Sequence, residues 1–504
     1  MAAAAALVCV AMACAAAWWG SLNQDEGWYL YAAKLVSEGK MPYRDFFYTQ
    51  GPLLPLVYGA LSSVWEGGGL LGARIFTFMF GLCGMVLFAL LGGRLAPAGR
   101  RMQAGLATFV LLGCNLYHVY FNTIPKTYAL GGLCVAIGFL YYAAAANPAA
   151  ANTRKRAVAA VAAGFCLAMA SGARISLGAL LATTGLSLVL SRRRTGFAFV
   201  WFGLGGLAGL AMVYVPFAAD AGAFDGLCAA QAYHAARKGF SPLFTAGSVS
   251  RLARWYLPAF VAAAAAATLL WKSRRNGCGG GTCAVGDGRT GTVLAGFAAV
   301  FAIQMLAPFP YEDYQVPVMG LFAAGVCALC AAHLPERLCS TAATAVFALA
   351  IITAAGSPLL EKWTTNGQDR FWTLKKEKSE LAKLREAAGK IERLDPGGKT
   401  LFTQDLYLAV ETGRKVPDGL EMGPFSIMSF DGWKKLVGSA PSPVAAMSGY
   451  TFAIDPPGCT ERPAKEQLEL WRLLREKYTL AETIDAFGQN STTLLILARK
   501  EVEP

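Results

Sequence analysis

The chain has 504 residues, of which 55% are hydrophobic and 15% charged, and its formal net charge is +13. Average soluble domains carry about 25% charged residues, so the composition excludes a water-soluble fold over the whole length. A nucleic-acid binder is excluded as well, because no basic face with a recognition motif accompanies the charge; much of the Lys and Arg sits in short loops between apolar runs, as membrane topology requires.

From Met1 to about Pro358 charges are sparse and clustered, and from Glu361 onward the texture is that of a soluble domain. The division predicted is a membrane domain over 1–357 and a small α/β domain over 358–504. Most of the 13 cysteines lie within apolar runs, where Cys packs as a small hydrophobe. Cys327 and Cys330 form a CxxC inside a span without further ligands. Cys278 and Cys283 supply two thiols where a structural zinc site wants four ligands. His118, His234 and His333 are too scattered to form a metal site by spacing.

In chain order, Ala2 to Trp19 is an uncharged apolar run. It lacks the basic start of a signal peptide, and Trp18-Trp19 reads as an interfacial anchor, so a retained helix is expected. The outer loop 21–52 follows, with Asp25 and Glu26 adjacent at the membrane boundary among aromatic rings. Charges are excluded from hydrocarbon at about 2.5–3.5 kcal/mol each, so this pair keeps its charge while facing a substrate held in lipid. Residues 27–38 read as a short amphipathic helix, with Trp28, Tyr31, Ala32, Leu35 and Val36 on one face and Lys34, Ser37 and Glu38 on the other. Such a helix is expected to lie along the membrane surface. A second apolar helix is expected over 52–65.

Further spans are predicted near 70–93, 103–121, 127–147, 157–172, 175–190, 196–217, 253–271, 291–307, 317–333 and 339–357. With the first, that makes about eleven. The run 157–190 as one helix would measure about 50 Å against a hydrocarbon core of about 30 Å; it must turn, and Ser171-Gly172-Ala173-Arg174 is the place. The basic clusters Arg94/Arg100/Arg101, Arg154-Lys155-Arg156, Arg192-Arg193-Arg194 and Lys272/Arg274/Arg275, with Arg337, then fall on one side, which the positive-inside rule makes cytoplasmic. The Asp25 loop, 122–126, Arg174, 218–252, 308–316 and the C-terminal domain fall outside. In that domain, helices are expected at 375–393 and 464–477 and strands at 399–403 and 492–497.

The run Asp25-Glu26-Gly27-Trp28-Tyr29-Leu30-Tyr31, continuing through Pro42-Tyr43-Arg44-Asp45 to Gly51-Pro52-Leu53-Leu54, resembles the first outer loop of GT-C fold glycosyltransferases of the family 39 type, the protein mannosyltransferase and aminoarabinose transferase relatives. Arg74 and Arg94 resemble that family's next helix, and Pro308 to Pro317 its later outer loop. The resemblance implies a mainly α, polytopic GT-C-like bundle. It further implies inverting transfer of a hexosyl or pentosyl unit from a polyprenyl-phosphate donor to a lipid, glycan or protein hydroxyl at the extracytoplasmic face of the inner membrane. Many members carry Lys-Pro-Pro-Leu where this chain has Gln50-Gly51-Pro52-Leu53, which leaves phosphate binding to other cations.

The residues fit that chemistry. A phosphate on the anomeric carbon is already a good leaving group, whereas the acceptor hydroxyl needs a base, and a base contributes about 10²–10⁴-fold. Asp25 matches the catalytic acidic position; its alternative role is the N-cap of the following helix. Glu26 is expected to orient the acceptor, bind a cation or act on Asp25 through like charge. Arg44, Lys126 and Arg174 are the candidate phosphate cations, with a surface pair (Arg44–Asp45) and snorkelling (Lys126, Arg174) as the structural alternatives. Asp45 and Tyr48 complete the first-loop candidates. Tyr311, Glu312 and Asp313 form a second acidic group that could line the pocket or coordinate a metal. No cofactor is required by any motif, and a divalent cation stays open. The competing classes are a lipid or solute transporter, which would use polar groups near the midplane, and an inactive scaffold with a partner-binding tail.

Overall fold

The computed structural model describes residues 2–147, 153–236, 240–275, 288–335, 341, 344–346, 348–350, 378–423, 429–449, 464–489 and 491–500. The expected span 339–357, Cys278, Cys283 and the cations Arg237 and Lys238 of the 218–252 loop lie wholly or mostly outside them. The membrane domain contains α1 (Ala2–Trp19), α2 (Gln24–Ser37), α3 (Leu53–Ala60), α4 (Gly69–Leu95), α5 (Arg101–Gly113), α6 (Leu116–Phe121), α7 (Thr127–Ala145), α8 (Thr153–Ala173), α9 (Ala179–Leu190), α10 (Ala198–Ala218), α11 (Ala221–Ala236), α12 (Pro242–Trp255), α13 (Leu257–Arg275), α14 (Arg289–Met305) and α15 (Val316–His333).

Among the described residues six helical stretches are long and apolar enough to cross a membrane: Ala2–Trp19, Ser62–Leu95, Thr127–Ala145, Thr153–Ala173, Ala198–Ala218 and Glu312–His333. The pair Pro242–Trp255 and Leu257–Lys272 makes a seventh if its 89° bend is counted within one span, and Ile175–Leu190 and Arg289–Met305 are shorter apolar helices. The expected span 103–121 is broken. Asn115 stops the first piece and caps the second, its side chain accepting from the His118 amide at 2.9 Å; an Asn side chain offers the backbone a local alternative to the helical ladder. The run 157–190 turns where expected: α8 ends at Ala173, and Arg174 is extended at φ −151°, ψ 118°.

Close packing follows from small residues. A Cβ on Gly205 or Gly209 of α10 would collide with the Val161 or Phe165 backbone of α8, the small-xxx-small arrangement by which membrane helices approach when hydrophobicity gives them no preference for one another.

The C-terminal domain holds α16 (Glu380–Leu394), α17 (Leu406–Thr412), α18 (Phe430–Gly438) and α19 (Ala464–Lys477) around β1 (Phe402–Thr403), β2 (Val444–Met447), β3 (Tyr478–Phe487) and β4 (Thr492–Arg499). The sheet order is β1-β2-β4-β3, with β1 parallel to β2 and the other pairs antiparallel.

One correction concerns α2. Its polar side is not left to solvent but is largely covered by the C-terminal domain. Leu30 and Tyr31 share one continuous core with Phe402, Leu406 and Leu408 of the C-terminal domain. The Val416 amide donates to the Tyr31 hydroxyl at 2.9 Å, and Lys415 pairs with Glu38 at 2.7 Å. Farther along, Glu411 accepts from the Leu70 amide at 2.9 Å, so a carboxylate of the tail caps the start of α4. Two half-apolar surfaces cover each other, which removes both from water.

Candidate active site

The helix α2 begins with a capping box. The Asn23 side chain accepts from the Asp25 amide at 3.1 Å, and the Asn23 amide donates to Glu26 Oε1 at 2.9 Å. The N-cap role is therefore filled by Asn23, two residues before Asp25, and capping does not account for Asp25. Its carboxylate instead points to Lys126, with Asp25 Oδ2 2.9 Å from Lys126 Nζ and the Asp25 side chain still 25% exposed.

Lys126 immediately precedes α7 and is buried. Its ammonium also lies 3.0 Å from Asp313 Oδ2, and the same oxygen accepts from the Tyr128 hydroxyl at 2.8 Å. Asp313 comes from the short turn Glu312–Gln315 ahead of α15. Three segments far apart in sequence thus place two carboxylates on one ammonium.

Arg174 sits at the α8 turn. Its guanidinium stacks 3.8 Å from the centre of the Tyr314 ring and 5.5 Å from that of Tyr128, on which Lys126 also rests at 5.1 Å. Among the described residues its guanidinium has no hydrogen-bonded or ion-paired partner in direct contact, and its nearest groups are rings. Cation–ring contacts contribute about 0.5–2 kcal/mol, well short of what an anion would supply. Nor is Arg174 a snorkelling side chain, since it turns inward onto this cluster.

Glu26 is corrected. It is fully buried in a bidentate pair with Arg74, 2.7 Å for each contact, and Arg74 also donates to the carbonyls of Ala17 and Ser21 at 3.0 Å. Both Glu26 oxygens are taken by the Arg74 guanidinium, and Oε1 also accepts from the Asn23 amide, so neither is open to an acceptor or a metal ion. It fixes the end of α1 to the start of α2 and thereby aims Asp25. Arg44 takes the surface-pair alternative in this structure: it pairs with Asp45 at 2.8 Å and Asp220 at 3.5 Å, with its side chain 45% exposed. The hydrogen bonds from Arg44 and from the Met41 amide hold the Asp45 carboxyl down at about 2. This is the surface pair, at the edge of the loop and away from the ammonium.

Tyr48 is buried, with Tyr29 and Tyr43 edge-on at 6.0 Å each, and its hydroxyl has no partner among the described residues. Tyr311 packs edge-on to Phe244 of α12 at 5.7 Å, and Glu312 takes Arg251 of α12 at 2.9 Å; both tie the outer segment down rather than join Asp313.

No group of three or more His, Cys, Asp or Glu side chains with metal-binding geometry occurs among the described residues. Asp25 and Asp313 are the two carboxylates that converge, and the Lys126 ammonium occupies the position between them that a divalent cation would need.

No protein-family model matches the chain, and no curated protein matches it in sequence. Solved structures do match in shape. ArnT from Cupriavidus metallidurans in the apo state superposes with a TM-score of 0.63 at 14% identity, covering 98% of this chain and 97% of that one. The same protein bound to undecaprenyl phosphate gives 0.62 at 13% identity with the same coverage. The Archaeoglobus fulgidus oligosaccharyltransferase tethered with an acceptor peptide gives 0.54 at 10% identity, covering 99% of this chain and 74% of that one. The chain has the GT-C fold. The cluster described above joins the start of α2, the residue ahead of α7, the turn after α8 and the turn ahead of α15.

Tyr128 is the part of the cluster that sequence reading missed. Its only signal was its position two residues after Lys126, at the start of a helix, where an aromatic ring ordinarily signifies an interfacial anchor.

Proposed function

We propose that the protein is a glycosyltransferase of the inner membrane. It moves a sugar from a polyprenyl-phosphate donor to an acceptor hydroxyl at the extracytoplasmic face, with inversion. The observation that carries this reading is Arg174: a cation on two rings, without an anion, beside an ammonium and an accessible carboxylate. A phosphate monoanion or diester supplies the missing partner, and Lys126 and Arg174 would flank it from the shared Tyr128 ring.

Chemically, the bond between the anomeric carbon and the phosphate oxygen breaks with its electron pair leaving on the phosphate. The acceptor oxygen attacks from the opposite face, and its proton passes to Asp25. Polyprenyl phosphate and the glycosylated acceptor are released. The cations stabilise the leaving charge, a contribution realised most fully in the transition state. The Tyr48 hydroxyl is the neutral donor left available on the loop.

The undecaprenyl phosphate in one ArnT structure and the acceptor peptide in the oligosaccharyltransferase structure support a lipid-linked donor and a glycan or peptide acceptor here. The basic ends of α4, α8 and α13 support a cytoplasmic position for the opposite side. The test is incubation of the purified protein with labelled polyprenyl-phosphate sugars and native lipid extract. A labelled product formed by the wild type and not by Asp25→Asn is expected. Absence of transfer from every polyprenyl-phosphate sugar would remove the assignment.

A further inference from the structure

Lys126 stands between the proposed base and the proposed phosphate site, and its one ammonium cannot serve both fully. In the structure it is 2.9 Å from Asp25 and 3.0 Å from Asp313, so the base is held in an ion pair. The same Asp313 oxygen also accepts from the Tyr128 hydroxyl at 2.8 Å. Arg174, on the same Tyr128 ring, makes no direct ion pair among the described residues.

From this we infer that Lys126 is a lock on Asp25 that the donor phosphate opens: the phosphate draws the ammonium from Asp25, so the base is released only after the donor is seated. This rests on the donor chemistry proposed above. The exchange is one of ion pairs alone. Lys126 keeps its proton, Asp25 loses a partner, and its lone pairs become free to take the acceptor's hydroxyl proton. Asp313 and Tyr128 are positioning residues: they keep the ammonium within reach when Asp25 lets go, so that it pivots toward the phosphate and returns once polyprenyl phosphate departs. The arrangement imposes an order, donor before acceptor, and keeps the loop from deprotonating an acceptor when no sugar is present to receive it.

Competition of two anions for one cation has a measurable signature. If phosphate binding weakens the Asp25–Lys126 pair, then by linkage the pair weakens phosphate binding by the same factor. Neutralising Asp25 therefore tightens phosphate binding even as it destroys transfer. Plain repulsion between Asp25 and the phosphate would do so too, but without regard to Lys126, and a double-mutant cycle separates the two.

The experiment measures undecaprenyl phosphate binding by the full-length protein in detergent for the wild type, Asp25→Asn, Lys126→Gln and the double variant. Thermal melting establishes that each is folded. Asp25→Asn is expected to tighten binding roughly fivefold or more, and to change it by less than about twofold in the Lys126→Gln background. Equal tightening in both backgrounds, or none, overturns the lock while leaving the donor assignment standing. No binding by any of the four overturns both.

Should Lys126→Gln not fold, a second measurement decides. Adding undecaprenyl phosphate to the wild type is expected to shift a carboxylate stretching band in the infrared difference spectrum, a band missing from Asp25→Asn. Binding without that shift overturns the lock.

Discussion

Gly27 of α2 lies against the backbone of α17: a Cβ there would meet the Leu406 carbonyl carbon at 2.9 Å and the Tyr407 nitrogen closer still. The helix that carries Asp25 is thus seated on the C-terminal domain by the absence of a side chain. Gly27→Ala is expected to push the two apart at a cost of about 1–3 kcal/mol, as overpacking does. Faster hydrogen exchange at the Val416 amide, which donates to Tyr31, together with reduced transfer, is the expected result. Unchanged exchange at Val416 would show that the contact does not hold α2.

The Arg74–Glu26 pair makes a stability prediction. Glu26→Ala leaves a guanidinium buried without its carboxylate, and breaking a buried pair from one side costs about 3–5 kcal/mol. A large drop in melting temperature is expected. Glu26→Leu combined with Arg74→Met should recover much of it, because the desolvation penalty disappears with the charges. Recovery of stability without recovery of transfer would locate the function of the pair in aiming Asp25.

Asp25 and Arg44 should separate cleanly. Asp25→Asn leaves the capping box of Asn23 and Glu26 intact and is expected to lower transfer by about 10²–10⁴-fold without moving the melting temperature. Arg44→Ala removes an exposed pair worth about 0–1 kcal/mol, and transfer should stay near the wild-type rate. Initial rates with saturating donor test both.

The C-terminal domain carries its own pH dependence. Burial pushes the Asp405 carboxyl up to about 6, with hydrogen bonds from Ser448 and Tyr407 opposing, while its Oδ2 has no partner among the described residues. The native state therefore holds a proton that the unfolded chain has lost between about pH 4 and 6, and stability falls as pH rises through that window. The shift corresponds to about 3 kcal/mol. Asp405→Asn should raise the melting temperature at pH 7.5 and flatten its change between pH 5 and 7.5. A steeper pH dependence in the variant would contradict this.

Orientation is testable in intact cells. A cysteine at Ser37, exposed beside the loop, should react with an impermeant thiol reagent, and one at Arg193, exposed in the triple-arginine turn, should react only after lysis. The opposite pattern would put Asp25 on the cytosolic side.

Local signals carried much of the fold. The uncharged run ending in Trp18-Trp19, the basic loops and the turn at Arg174 are each written in contiguous residues. What could not be read was partnership at a distance. Glu26 and Arg74 are 48 residues apart and Lys126 and Asp313 are 187 apart, so neighbouring carboxylates that looked like a functional pair parted company, one to a buried arginine and one to the shared lysine. Strand β2 was hidden for a related reason: Val444-Ala445-Ala446-Met447 is buried at every position, and a strand covered on both faces shows no alternation. Arg44 misled because its nearest partner is its own neighbour, Asp45, a contact that serves the surface.

The Glu411 carboxylate on the Leu70 amide also bears on how the molecule is made. The first outer loop and the start of α4 leave the ribosome hundreds of residues before the groups that cap and cover them. Until the last segment has been synthesised and has docked, the opening third of the chain lacks its lid, and Asp25 rides on a helix with one side bare. Seating of the Asp25 helix is then completed late, once the segment that carries Glu411 has been made and has docked.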